Sequence, residues 1–292
     1  MKVLNLANPT QSEIKFKISQ FPDGQQDIVI TSYIHGGIEV TNLKDLFATL
    51  PVQIKSPFNS FRDLEIIIAA TKALRRAGVN VIHLYIPYLL GARSDRQFVE
   101  GGNSYLVDVI APIINAQDYK SVTVVDVHSD VAAACIKNLK AIKNTELVKF
   151  ALDSIDTKDV TLISPDAGAY KKIFDVAKEF GIKHVITANK VRDLATGNIL
   201  STEIPVDTEP GQKTFVIVDD ICDGGRTFIE LAKAIQAKRP KAIYNDKIYL
   251  IVTHGIFSAG FDELGKYFNG IYCTTSVKWI NYPTFIKQLD VY

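Results

Sequence analysis

Residues 214–227, TFVIVDDICDGGRT, decide how this chain is read. Phe215, Val216, Ile217 and Val218 form an unbroken apolar run, the pattern of a strand buried on both faces. The run meets two adjacent carboxylates, Asp219 and Asp220, so the pattern predicts a strand over 214–219 that ends in paired acids. Asp223, Gly224, Gly225, Arg226 and Thr227 then make a glycine-bearing loop that feeds a helix predicted near 227–238. Such a turn presents backbone N–H groups to an anion at the helix N-terminus. Paired acids at a buried strand end need something to offset their charge. A sugar phosphate meets both needs, with hydroxyls for the acids and a phosphate for the loop. A strand–turn–helix corner with solvated acids has the same outline.

On either side the chain alternates strand and helix. The spans 13–18 and 27–32 read as strands around a turn at Pro22, Asp23 and Gly24. A helix over 59–77 has Asn59 or Ser60 as its N-cap and Gly78 past its end. A strand over 79–86, a polar loop over 91–103, a helix over 104–114 and a strand over 122–127 follow. The order repeats with a helix over 144–155, a strand over 160–164, a helix over 168–180 and a strand over 184–188. Residues 190–205 carry a turn signal at Thr196, Gly197 and Asn198 between β-like flanks, and further strands are predicted over 247–252 and 270–274. This alternation predicts an α/β protein with mostly parallel sheets flanked by helices. Two domains are expected, 1–140 and 141–292, with the last segment packing back on the first. Ligands of such sheets gather beyond the carboxyl ends of the strands.

The composition narrows the class. The 33 basic and 32 acidic residues leave a net charge of +1, which argues against a general nucleic-acid binder. Cys135, Cys222 and Cys273 stand far apart, with no CxxC or Cys/His cluster, so neither a disulfide framework nor a zinc site is indicated. A reducing, cytoplasmic setting is expected. No apolar stretch approaches the roughly 18 residues of a membrane-crossing helix, and MKVLNLANPTQ lacks the apolar run of a signal peptide. No membrane partner is expected.

Polar clusters follow several predicted strands. Arg93, Asp95 and Arg96 come after IPYLLGA, and two arginines there suit a polyphosphate as well as they suit a solvated loop. Asp126 and His128 end the next strand, two residues apart and hence on one face. Ser164-Pro165-Asp166-Ala167-Gly168 is a tight turn whose acid could cap the next helix or serve a ligand. Lys190 and Arg192 open the predicted hairpin as two long cations at i and i+2, a surface pattern or a clamp for a charged group in transfer. Phe21, Asp23 and Gln25 frame the Pro-Asp-Gly turn. The runs 253–258, THGIFS, and 274–276, TTS, fit a structural role or a functional one.

Taken in order from Phe21 to Ser276, these motifs resemble those of the ribose-phosphate pyrophosphokinases, a branch of the type I phosphoribosyltransferase-like superfamily. The departures are Gly224 where Thr is usual, Arg226 where Gly is usual and Gln25 where Glu is usual. The chain also reads as short before Phe21 relative to that family. The resemblance implies two phosphoribosyltransferase-like domains and the transfer of pyrophosphate from ATP to the C1 hydroxyl of ribose 5-phosphate. It places Phe21, Asp23, Gln25, Arg93, Asp95, Arg96 and His128 around ATP. It places Asp166, Asp219, Asp220, Asp223, Gly224, Gly225, Arg226 and Thr227 around ribose 5-phosphate. Lys190, Arg192 and Asp220 would be catalytic, and His128 and Asp166 would meet Mg²⁺. A homo-oligomer, dimer or hexamer, is implied, with the turn at Phe21 reaching a neighbour's adenine pocket. Two rivals share parts of the pattern: a phosphoribosyltransferase that consumes PRPP, and a non-catalytic member that regulates an active subunit.

Overall fold

The computed structural model describes residues 1–42, 50–155, 159–166, 168–192, 199–281 and 283–292, with backbone alone for 190–192 and 199–202. The chain divides into two compact units, one of residues 1–143 with 291–292 and one of residues 144–290.

The first unit holds β1 (Lys2–Asn5), β2 (Ile14–Gln20), β3 (Gln26–His35), β4 (Ile38–Val40), β5 (Val52–Lys55), β6 (Ile82–Tyr85), β7 (Ser121–Val125) and β8 (Leu139–Ile142). Strands β1-β5-β6-β7-β8 form a parallel sheet, and β2-β3-β4 form a separate antiparallel one. Helix α1 (Phe61–Arg76) joins β5 to β6. Its start is set by a capping box: Ser60 accepts the N–H of Asp63, and the Asp63 carboxylate accepts the N–H of Ser60. Leu64, Ile67, Thr71 and Leu74 recur at helical spacing and are buried.

The helix expected over 104–114 is not a uniform α-helix. Leu106–Ile110 winds as a π-turn and Ala111–Asn115 as α2. Pro112 is the cause. It has no N–H to give and its ring crowds the carbonyl four residues earlier, so the preceding turn widens until the N–H of Ala111 reaches Leu106 O. Helix α3 (Val131–Cys135) leads to β8.

The second unit holds β9 (Val160–Ser164), β10 (His184–Thr187), β11 (Asn189–Arg192), β12 (Ile199–Glu203), β13 (Thr214–Cys222), β14 (Lys247–Gly255), β15 (Gly270–Thr274) and β16 (Ile286–Leu289). Its main sheet runs β10-β9-β13-β14-β15-β16 and is parallel throughout. The helices are α4 (Thr145–Leu152), α5 (Tyr170–Phe180), α6 (Arg226–Lys238), α7 (Lys241–Tyr244) and α8 (Asp262–Tyr267).

Strand β13 shows why the apolar run does not alternate. Phe215 and Ile217 pack with Phe228, Leu231 and Ile235 of α6 on one face. Val216 and Val218 pack with Val148 of α4 and Ile173 of α5 on the other. Both faces are covered, so every position must be apolar. Each such side chain taken from water contributes about 1.5–3 kcal/mol.

One boundary differs from expectation. The strand does not stop at the acids: its ladder with β14 continues through Asp219↔Val252, Ile221↔His254 and Cys222↔Gly255. The backbone partners of β14 hold the acidic pair inside the sheet. Strands β11 and β12 pair antiparallel, Lys190 opposite Thr202. The turn expected at 196–198 lies outside the described residues.

Candidate active site

The corner after β13 is built from backbone geometry. Gly225 caps α6 at φ 81°, and a β-carbon there would lie 3.0 Å from Leu264 Cδ2. Both facts require glycine. The N-cap of α6 is Gly225, which has no side chain to cap the helix, and the first turn carries no acid. Arg226 is exposed at the first helical position. The loop is braced from behind: Ser258 Oγ donates to Asp223 Oδ1 at 2.6 Å, and the N–H groups of Ile256 and Phe257 reach Cys222 O. Phe257 holds φ 48° and packs its ring over Gly255, where a β-carbon would come within 2.2 Å of it.

The acids are held at close quarters. Asp220 is buried, and its N–H donates to Asp219 Oδ1 at 2.9 Å. Burial pushes the Asp219 carboxyl up to about 8, and the neighbouring Asp220 charge adds to the shift. Lys172, in the first turns of α5, works in the opposite direction and favours the Asp219 carboxylate. The sequence reading passed over Lys172. Its signal lay in the sheet order, because α5 follows β9 and β9 is the immediate neighbour of β13.

Asp166 follows β9 and therefore stands at the same end of the sheet as Asp219 and Asp220. Its Oδ1 accepts the N–H of Ala169 at 3.1 Å, and Ser164 Oγ donates to Asp166 O at 2.7 Å. Asp166 thus closes the turn before α5 rather than capping the helix, and its carboxylate stands at a strand end. Lys190 and Arg192 lie on β11, whose register with β12 shifts between Val191 and Arg192.

The first unit gathers its clusters in the same way. Strands β6 and β7 are parallel neighbours, so the loop with Arg93, Asp95 and Arg96 and the turn with Asp126 and His128 leave the same end of one sheet. Arg93, Arg96 and His128 are exposed. Arg96 Nε lies 3.6 Å from Asp95 Oδ1, and its guanidinium lies over the Phe98 ring. Asp126 is buried at φ 49°, a conformation uncommon for a non-glycine residue. Phe21, Asp23 and Gln25 are exposed at the tip of the β2–β3 hairpin, in the antiparallel sheet rather than the parallel one. Gln25 N–H donates to Asp23 Oδ1, and Gly24 turns the chain at φ 97°.

The runs at 253–258 and 274–276 meet in a buried polar network. Thr274 Oγ1 donates to Thr253 O at 2.6 Å, and His254 Nδ1 lies 2.8 Å from Ser276 Oγ. They tie β14 to the turn after β15, directly behind the loop. Cys222 and Cys273 are buried, and burial pushes both thiols up to about 12. Among the described residues no three His, Cys, Asp or Glu side chains cluster as a metal cage, and no helix is long and apolar enough to cross a membrane.

Residues 136–282 match the family model of the phosphoribosyl transferase domain. The chain is 27% identical over 276 residues to a ribose-phosphate pyrophosphokinase of Thermosipho africanus, an alignment that covers 91% of this chain and 79% of that one. It is 26% identical over 290 residues to a ribose-phosphate pyrophosphokinase of Mycoplasma genitalium, covering 96% and 80%. The crystal structure of phosphoribosylpyrophosphate synthetase from Mycobacterium smegmatis superposes with a TM-score of 0.72 at 16% identity, over 95% of this chain and 86% of that one. That likeness extends the shared fold across nearly the whole chain.

Proposed function

The chain belongs to the phosphoribosyl transferase domain family, and from that premise we propose that it is a ribose-phosphate pyrophosphokinase. The reaction would convert ATP and ribose 5-phosphate to PRPP and AMP. The carrying observation is the adjacent, buried pair Asp219 and Asp220 at the strand end that leads into the glycine-capped start of α6. Two carboxylates favour a ligand rich in hydroxyls, and the helix start favours a phosphate.

In this reading the C1 hydroxyl oxygen bonds to the β-phosphorus of ATP. The bond from that phosphorus to the α–β bridging oxygen breaks. AMP leaves with the bridging oxygen, and the hydroxyl proton passes to solvent. Such a transfer depends on positioning and on charge stabilisation. Asp219 and Asp220 hold the ribose hydroxyls. The N–H groups of residues 223–227 and the Thr227 hydroxyl hold the 5-phosphate. Lys190 and Arg192 on β11 offset charge on the migrating group. Arg93, Asp95, Arg96 and His128 hold ATP, and Asp166 supports the ribose side.

The resemblance also brings Mg²⁺. This ion keeps several waters and takes one or two carboxylates plus phosphate oxygens rather than a full protein cage. The chain fits that habit, with an adjacent carboxylate pair and no closed cluster among the described residues. When bound, the ion would neutralise phosphate charge. His128 and Asp166 are its further proposed neighbours.

The unit of residues 1–143 favours this reading over a PRPP-consuming transferase. It is a second parallel sheet, with arginines and a histidine beyond its strand ends. The exposed hairpin tip at Phe21 supports a homo-oligomer in which this tip meets a neighbour's nucleotide. The deciding assay is AMP release from ATP with and without ribose 5-phosphate. Dependence on the sugar phosphate supports the proposal. PRPP consumption with a nucleobase, and no such AMP release, would replace it with the transferase reading. A fully active monomer in light scattering would overturn the shared pocket.

A further inference from the structure

A fully bonded buried charge lies outside the proposed site. Arg239 ends α6, and its side chain is fully buried. Nε donates to Asp246 Oδ2 at 2.7 Å and Nη2 to Asp246 Oδ1 at 3.0 Å. Nη1 donates to the carbonyls of Asp207 and Glu209, at 3.2 and 2.9 Å, and Nη2 also to Gly211 O at 2.7 Å. All five guanidinium N–H groups are used. The Tyr244 ring covers the guanidinium at 4.1 Å, and the Tyr244 hydroxyl donates to Thr208 O at 3.1 Å.

The segment held in this way is the return leg of the β11–β12 ribbon. After β12 the chain enters the core at Ile204 and Val206, and Lys238 Nζ donates to Ile204 O at 2.8 Å. Residues 207–212 are then exposed, with no apolar side chain in the core, so they are held by polar contacts: their carbonyls to Arg239, Thr208 O to Tyr244, and the Asp207 carboxylate to Lys213 Nζ. The outgoing leg is rooted separately: Ala188 is buried and its N–H reaches Ser164 O. The helix that Arg239 ends is the same one that Gly225 begins at the phosphate loop. One rigid element therefore carries the loop at one end and the ribbon's return leg at the other.

A buried ion pair is weak evidence for a gain in stability, since apolar residues of the same volume often do as well or better. Two bonds to the Asp246 carboxylate and three onto the exposed backbone carbonyls of Asp207, Glu209 and Gly211 specify position instead. We propose that Arg239 is a positioning residue, which fixes the return leg of the ribbon bearing Lys190 and Arg192 relative to the phosphate loop. This rests on the pyrophosphokinase reading for its consequence in turnover, and on geometry alone for its consequence in the ribbon.

The test is Arg239→Lys in the full chain, with Tyr244→Phe as a milder second variant that removes only the bond to Thr208. Lysine can still meet Asp246 but cannot span the three carbonyls. Amide hydrogen exchange at 199–211 should quicken by about tenfold in Arg239→Lys and less in Tyr244→Phe, while β13 amides keep their protection. Turnover should fall by about tenfold, with the KM for both substrates within about twofold of wild type. Unchanged exchange at 199–211, or an equal loss of protection in β13, overturns the inference. So does quickened exchange with wild-type turnover. Should Arg239→Lys fail to fold, the same criteria apply to Tyr244→Phe. If the wild type itself makes no AMP, the proposed function falls and the exchange measurement alone decides the inference.

Discussion

Two buried charge groups in the second unit are handled in opposite ways. Arg239 and Asp246 bring unlike charges together, and every guanidinium N–H has an acceptor. Asp219 and Asp220 bring like charges together, and the Asp219 carboxyl is driven upward by burial and by its neighbour. The first arrangement is complete within the chain. In the second, burial and the neighbouring charge both disfavour the ionised form of Asp219. A fully bonded pair fixes architecture, and a crowded like-charge pair is the kind of group that a ligand can stabilise.

The sharpest way to break the contrast is to undo the completed pair. Asp246→Ala leaves the Arg239 cation buried without its carboxylate and should cost about 3–5 kcal/mol. A thermal melt would show a large fall in Tm. A melt within a degree of wild type would show that the pair carries no such weight. The equivalent change at the acids should act on rate rather than on fold. Asp220→Ala should keep the wild-type circular dichroism spectrum and lose about 10²-fold or more in kcat. Retained turnover would remove the pair from the site.

The ribbon should give a smaller and more selective effect. On the proposed transition-state role, Lys190→Ala and Arg192→Ala should each lower kcat by about tenfold or more, with little change in either KM. A raised KM with unchanged kcat would make them ground-state binders. The smallest effect sharpens the comparison through pH. The folded Asp219 carboxyl holds its proton to about 8, whereas an unfolded one releases it near 3.9. Its contribution to stability is therefore complete below about pH 4 and is lost as the pH rises toward 8. Asp219→Asn removes that loss. In substrate-free, EDTA-treated protein its Tm should exceed that of wild type by a margin that grows between pH 5 and 8. A constant margin would mean that Asp219 does not titrate in this range.

The corner at 214–227 was legible in sequence because each of its needs has a residue signature. Double burial asks for four apolar residues in a row, and the phosphate-type turn asks for Gly225 at positive φ. What the sequence did not yield was pairing. Nothing in ICD announces that β14 carries the ladder past the acids, since hydrogen bonds between backbones have no side-chain mark. The short strands β1, β5, β8 and β16 escaped for a related reason. KVLN, VQIK, LKAI and IKQL are too brief to show a period. The π-turn before Pro112 was foreseeable from the proline, whereas Lys172 became relevant only once β9 was known to lie beside β13. The role of Arg239 depended on three carbonyls whose positions no composition encodes.

The buried sulfurs have a practical consequence. Burial pushes the Cys222 and Cys273 thiols up to about 12, so neither presents appreciable thiolate at neutral pH. Both are also shielded from solvent, although Cys222 immediately precedes Asp223. Cys135, part-exposed in the first unit, is the position a maleimide dye can address. A fluorophore could therefore be attached to the native chain at one point, without a cysteine-free background, while the loop after β13 stays chemically untouched.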